Sequence, residues 1–122
     1  MRITMMKCKI HRATVTGADL AYEGSVSIDP VLCEAAGLLP FERVDIYDCN
    51  NGNRLSTYVL PGKDGEICLN GAAARLVHAG DEVIIVSYCE LETDEVATHH
   101  PRVVLVDAEN RVREVIDHTL PH

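Results

Sequence analysis

A mainly β, barrel-like fold with a few short helices is what this sequence predicts, and three observations predict it. Short runs with alternating or wholly apolar side chains recur along the chain, giving about six to eight strands. Turn signals punctuate them, the clearest being Asn51-Gly52 between two strand-like runs. The apolar residues make up 47% of 122 positions and are mostly Val, Ile, Leu and Ala, with no Trp and a single Phe. That length suits one domain with one core, spanning residues 1–122.

The elements follow in order. Met5 to Thr16 reads as a first strand, because Met6, Cys8 and Ile10 alternate with Lys7, Lys9 and His11. Thr16-Gly17-Ala18-Asp19 is turn-rich, and Ala18 to Tyr22 reads as a short helical turn. Val26 to Asp29 is a short alternating strand. Asp29 and Pro30 then open a helix as cap and first residue, and Gly37 closes it after Ala36. Val44 to Asp48 and Arg54 to Leu60 form a hairpin around Asn50–Asn53. Alternation in its second strand puts Arg54, Ser56 and Tyr58 on one face and Leu55, Thr57 and Val59 on the other. Arg54 and Tyr58 are then ~13 Å apart along an ideal strand. Pro61–Gly65 is a loop and Glu66–Asn70 a short strand. Gly71–Val77 starts as a short helix with Asn70 as its cap. Gly80-Asp81 is a turn before Glu82–Tyr88, a run apolar on both faces at its centre and therefore buried. The acidic Glu90–Ala97 reads as a helical turn. Val103–Val106 and Val112–Ile116 are the last strands, and Asp117–His122 carries no pattern. His99, His100, His118 and His122 are expected in solvent.

Composition excludes several classes of function. A net charge of −8 argues against a broad basic face for nucleic acid. No run approaches the ~18 apolar residues of a membrane span. The first residues have no signal-peptide core, so a cytoplasmic location is expected. The five cysteines are scattered singly, without a Cys-x-x-Cys pair, and read as buried free thiols. Cys8 and His11 have ligand-like chemistry, but strand alternation puts them on opposite faces, so no metal site is expected.

Gly24-Ser25 is the one pair with unusual chemical potential. Gly24 lacks a Cβ and its backbone is permissive. The Ser25 hydroxyl can attack the carbonyl of Gly24 and turn that amide into an ester. Elimination then cuts the chain and leaves dehydroalanine, which hydrolyses to a pyruvoyl group. Alone, a Gly-Ser dipeptide is most often a turn. Near the N-terminus, Arg2, Lys7, Lys9 and Arg12 form a local cationic cluster that suits either an anionic ligand or a solvated strand face. Arg54 suits a carboxylate, and Tyr58 can donate a proton.

Several separated motifs then agree. Lys9-Ile10-His11-Arg12-Ala13-Thr14-Val15-Thr16, Ala18-Asp19-Leu20, Tyr22-Glu23-Gly24-Ser25, Asn51-Gly52-Asn53-Arg54, Thr57-Tyr58 and Asn70-Gly71-Ala72-Ala73-Ala74 stand in the order that resembles the pyruvoyl-dependent aspartate decarboxylases. The resemblance runs from about residue 1 to residue 107 and is weakest in the tail. It implies a double-psi β-barrel assembled as a homotetramer, with active sites between neighbouring subunits. It implies a lyase that converts L-aspartate to β-alanine and carbon dioxide for pantothenate synthesis, with no metal. A zymogen would cleave autocatalytically into 1–24 and 25–122, the larger piece carrying a pyruvoyl group made from Ser25. Relatives differ in whether a maturation helper protein is needed.

Carried over position by position, the resemblance has Thr57 stabilising the oxyanion on Gly24 while Ser25 attacks. Arg54, with Lys9, holds the carboxylate that is retained. The substrate amine forms a Schiff base with the pyruvoyl carbonyl, and Tyr58 reprotonates the carbanion. Asn70, Gly71, Ala72 and Ala73 line the substrate site, and His11 and Tyr22 support it. Two other classes stay open: a double-psi barrel that never cleaves and serves as a binding or structural module, and a metal-binding domain using the scattered Cys and His.

Overall fold

Three isoleucines show how the chain closes on itself. Ile10, Ile46 and Ile85 face one another across three strands and are essentially inaccessible. Burying each such side chain is worth about 2 kcal/mol. The computed structural model describes residues 1–118. Its strands are β1 (Arg2–Thr14), β2 (Gly17–Asp19), β3 (Ser25–Ile28), β4 (Arg43–Asp48), β5 (Arg54–Pro61), β6 (Ile67–Asn70), β7 (Glu82–Glu92), β8 (Arg102–Val106) and β9 (Val112–Asp117). One α-helix, α1 (Pro30–Ala36), and two 3₁₀ helices, Gly71–Arg75 and Thr93–Thr98, complete the described residues. The strands make one sheet in the order β2-β6-β3-β5-β4-β7-β1-β8-β9. The pairs β1–β8, β2–β6 and β3–β5 are parallel and the rest antiparallel. Parallel neighbours need crossover connections. This is the mainly β architecture expected, and it is consistent with a double-psi barrel.

Local signals account for several elements. Asp29 caps α1 by accepting from Val31 N at 2.8 Å, and its other oxygen accepts from Gly65 N at 2.8 Å. Gly37 ends the helix in the left-handed region, as predicted. The hairpin pairs Tyr47 with Arg54 and Arg43 with Tyr58.

Other expectations are corrected. Ala18 and Asp19 are not helical: β2 pairs in parallel with β6, and this long-range pairing overrides a weak local preference. β1 begins at Arg2 and ends at Thr14. β7 continues to Glu92, because Arg2 lies opposite it and binds Glu90 and Glu92 at 3.5 and 3.1 Å. The helical turn therefore starts only at Thr93, where Glu92 and Glu95 form a capping box. Asn70 makes no cap with its side chain. Asp117 belongs to β9 and pairs with Arg102; the rest of the tail, including His122, lies outside the described residues apart from an exposed His118. His99 is half-buried, its Nε2 2.7 Å from the Met6 carbonyl. All five cysteines are free, yet Cys8 alone is buried and Cys49 is exposed.

Asn110 had no sequence signal as a structural anchor. It is buried at a positive φ of 62°, which Asn tolerates better than most residues. Its Nδ2 donates to the carbonyls of Thr14 (2.8 Å) and Gly65 (3.0 Å), and its Oδ1 accepts from Thr14 N (2.8 Å). The β8–β9 turn is thereby tied to β1 and to the 61–65 loop. Asn110→Ala should lower stability by about 2–3 kcal/mol, since it strands buried backbone groups. Urea unfolding checks this: an unchanged midpoint would show that water replaces those bonds freely.

Candidate active site

Ser25 starts β3 directly opposite Asn70, the last residue of β6. That register buries the serine completely. Its hydroxyl donates to the Glu23 carbonyl at 3.0 Å and accepts from Asn70 Nδ2 at 3.1 Å. Asn70 Nδ2 also reaches Ser27 Oγ at 3.0 Å, so one amide holds both serines of the strand. Gly24, one residue earlier, is exposed and has open space where a side chain would be.

Gly71 sits against this junction. Its φ is +67°, and a Cβ there would come within 2.7 Å of both Gly24 Cα and Gly24 N, and 3.0 Å of the Tyr22 carbonyl oxygen. Only a glycine fits such a conformation at such an approach. The strand-to-helix turn therefore carries Asn70 behind Ser25 and Gly71 beside Gly24. The Tyr22 ring is largely exposed on the connecting turn.

A cleft of about 360 Å³ opens at Gly24, walled by Leu55, Ser56, Thr57 and Tyr58 of β5 and by Ala72, Ala73 and Leu76. That volume is within the range of small-molecule sites. Tyr58 is half-buried and stacks on Phe41, with centroids 6.1 Å apart and planes 27° from parallel. Asn51 and Asn53 of the hairpin donate to the Leu76 carbonyl at 3.1 and 2.9 Å, which ties the second wall to the first.

The structure thus brings Gly24, Thr57, Tyr58, Ala72 and Ala73 to one cleft, with Ser25, Asn70 and Gly71 immediately behind. Lys9, His11 and Arg54 are not among the residues that wall it. Lys9 lies on β1 opposite Val86, half-buried. His11 lies in a β-bulge between Ile10 and Ala13, followed by Arg12 at φ 57°. Bulges re-aim side chains in this way. Burial, helped by the Lys9 and Arg12 charges, lowers the His11 pKa, which favours a neutral imidazole. Its Nδ1 is buried without a hydrogen-bond partner among the described residues. Arg54 is exposed, its guanidinium 4.4 Å over the Tyr47 ring. No group of three or more His, Cys, Asp or Glu among the described residues could hold a metal ion.

Leu55, Ser56 and Leu76 also wall the cleft and were not singled out by sequence. The first two are neighbours of Thr57 on one strand, a usable signal; Leu76 had none. Tyr47 was legible in principle, since a hairpin centred on Asn50-Asn51 pairs it with Arg54.

The family model for aspartate decarboxylase matches residues 1–113, somewhat beyond the expected 107. An aspartate 1-decarboxylase of Bdellovibrio bacteriovorus is 67% identical over 114 residues, covering 93% of this chain and 92% of the relative. One from a Hydrogenobaculum species is 58% identical over 115 residues, covering 94% and 92%. One from Neisseria meningitidis is 54% identical over 121 residues, covering 98% and 95%. On a β architecture with a buried serine behind a glycine-lined cleft, these matches mean that the chain belongs to the aspartate decarboxylase family.

Proposed function

We propose that this chain is an enzyme that decarboxylates L-aspartate to β-alanine and carbon dioxide, supplying pantothenate synthesis, after cutting itself between Gly24 and Ser25. The observation that carries this reading is the completely buried Ser25 hydroxyl, held by Asn70 behind a cleft shared by Gly24, Thr57 and Tyr58, in a member of this family.

Cleavage begins when the Ser25 hydroxyl leaves the Glu23 carbonyl and turns toward the carbonyl carbon of Gly24. The new C–O bond forms first and Thr57 donates to the oxyanion of the adduct; collapse then breaks the C–N bond, and the freed Ser25 nitrogen takes up the proton the hydroxyl gave up, leaving an ester. Asn70 holds the hydroxyl beside the junction until it turns. Elimination, with loss of the α-proton of residue 25, frees Gly24 as a carboxylate and leaves dehydroalanine, whose hydrolysis releases ammonia, so the mature form has pieces 1–24 and 25–122. The residues fit a pyruvoyl group at position 25: the Ser25 carbons would supply it, and Gly71, where a Cβ would come within 2.7 Å of Gly24, lets the junction next to it pack directly on the turn. That group supplies a carbonyl electron sink, so no external cofactor and no metal is required. Gly71, Ala72 and Ala73 let the substrate approach the backbone closely. Tyr58 delivers a proton to the carbon that loses carbon dioxide.

The cleft walls carry no charged side chain. A dicarboxylate bound there needs cations from elsewhere. Arg54 and Lys9 lie outside it, so a neighbouring copy supplies them, in a homotetramer whose sites lie between subunits. Free thiols and a biosynthetic role fit a cytoplasmic enzyme. Among the described residues, no helix is long and apolar enough to cross a membrane.

Intact mass spectrometry tests the reading. Two chains divided after Gly24, the larger with a pyruvoyl terminus, are expected. One chain that stays uncut after heating, or after addition of cell extract as a source of a maturation helper, would favour a non-catalytic barrel instead. Thr57→Val should slow cleavage by about 10²- to 10³-fold, the usual cost of one oxyanion donor. Wild-type cleavage rates in that variant would remove Thr57 from the step.

A further inference from the structure

An arginine that grips a carboxylate must keep its donors free and its plane steady. Among the described residues the Arg54 side chain makes no hydrogen bond or ion pair, whereas Arg2, Arg12, Arg102 and Arg111 are each paired with a carboxylate. What Arg54 has is a ring: Tyr47 lies opposite it across the hairpin, 4.4 Å from the guanidinium carbon. The Tyr47 hydroxyl is 2.7 Å from the Tyr88 hydroxyl on the next strand, β7.

We propose that Tyr47, tethered by Tyr88, is a positioning residue that holds the Arg54 guanidinium flat for the substrate carboxylate. This rests on the role given to Arg54 above. Stacking uses the face of the guanidinium and leaves its N–H edges pointing past the ring. A carboxylate partner would consume those same donors and cancel the charge. The Tyr47 phenol is pushed up to about 12, first by its hydrogen bond to Tyr88 and then by burial. It therefore stays neutral at working pH and does not compete with substrate for the Arg54 charge. Arginine carries large rotamer entropy, and restraining it before binding lowers what substrate must offset.

The test uses mature enzyme, with complete cleavage first verified by mass. KM and kcat for L-aspartate are measured alongside calorimetric binding of succinate, which has two carboxylates and no amine. Tyr47→Leu should raise KM and the succinate Kd by about 5-fold, with kcat within about twofold. Tyr47→Phe and Tyr88→Phe should each cost about twofold, and the double variant no more than either, because both cut one tether. In an Arg54→Ala background, Tyr47→Leu should change succinate binding no further. A purely structural role would lower thermal stability with KM unchanged, and that result overturns the proposal. So does an equal loss of affinity with and without Arg54. If Tyr47→Leu fails to fold, Tyr88→Phe carries the test, since it removes only one exposed hydroxyl: an unchanged KM and succinate Kd overturns the proposal. Normal turnover and succinate binding in Arg54→Ala alone would instead refute the role of Arg54.

Discussion

Ser25→Ala is expected to run as one uncut chain of about 13.4 kDa with no measurable decarboxylation. Cleavage needs an oxygen nucleophile attached to the residue whose nitrogen is the leaving group, and position 25 alone supplies it at this junction. Ser27 is bonded to the same Asn70 amide, but it faces the carbonyl of Val26 in its own chain order. In the proposed mechanism, an uncut chain has no carbonyl group at a new terminus and no electron sink for the departing carboxylate. The fold should survive. Losing the Ser25 hydroxyl removes two hydrogen bonds, yet Asn70 keeps Ser27 at 3.0 Å, so the cost is about 1–2 kcal/mol. Mass spectrometry, circular dichroism and an aspartate assay together check it. A variant that folds, stays whole and still turns over aspartate would remove the pyruvoyl group from the mechanism.

Arg54→Ala should cleave normally and then fail on aspartate. Arg54 is exposed over Tyr47 and absent from the cleft at Gly24, so nothing in the cutting step depends on it. Substrate binding does, in the role proposed for it. Removing one partner of a desolvated charge pair costs about 2–5 kcal/mol, or about 30-fold to several-thousand-fold in kcat/KM. Arg54→Lys should fall between, because an ammonium keeps the charge and loses the planar fork. Mass spectra and steady-state kinetics on the same samples separate the two steps. Incomplete cleavage in Arg54→Ala would place Arg54 in maturation, and near-normal kcat/KM would take the substrate carboxylate away from it.

Sequence alone determined the features that depend on near neighbours. Asp29, Pro30 and Gly37 bound α1 because capping and backbone dihedrals are local matters. Asn51-Gly52 marked the hairpin, while the register that pairs Tyr47 with Arg54 came from the structure. Period-2 alternation marked Arg54–Leu60 as a strand, although Leu55, Ser56, Thr57 and Tyr58, expected on two faces, all wall one cleft. Motif order along the chain pointed to the family and to Gly24-Ser25.

Contacts across long stretches of chain were decided only by tertiary structure. Ala18 and Asp19 became a strand because β6, some fifty residues on, offered backbone partners. Asn70 was expected as a helix cap, but its amide turns back 45 residues to Ser25. Gly71 reads in sequence like any small residue before a helix; that it presses on Gly24 appears only when both backbones are in place. Asn110 bridges 96 residues to Thr14 with no local trace. Hydrophobic period and turn chemistry encode what a segment can form. Which segments then meet depends on loop closure and on packing of the whole sheet, and that brought Ser25, Asn70 and Gly71 to one junction while leaving Arg54 outside the cleft.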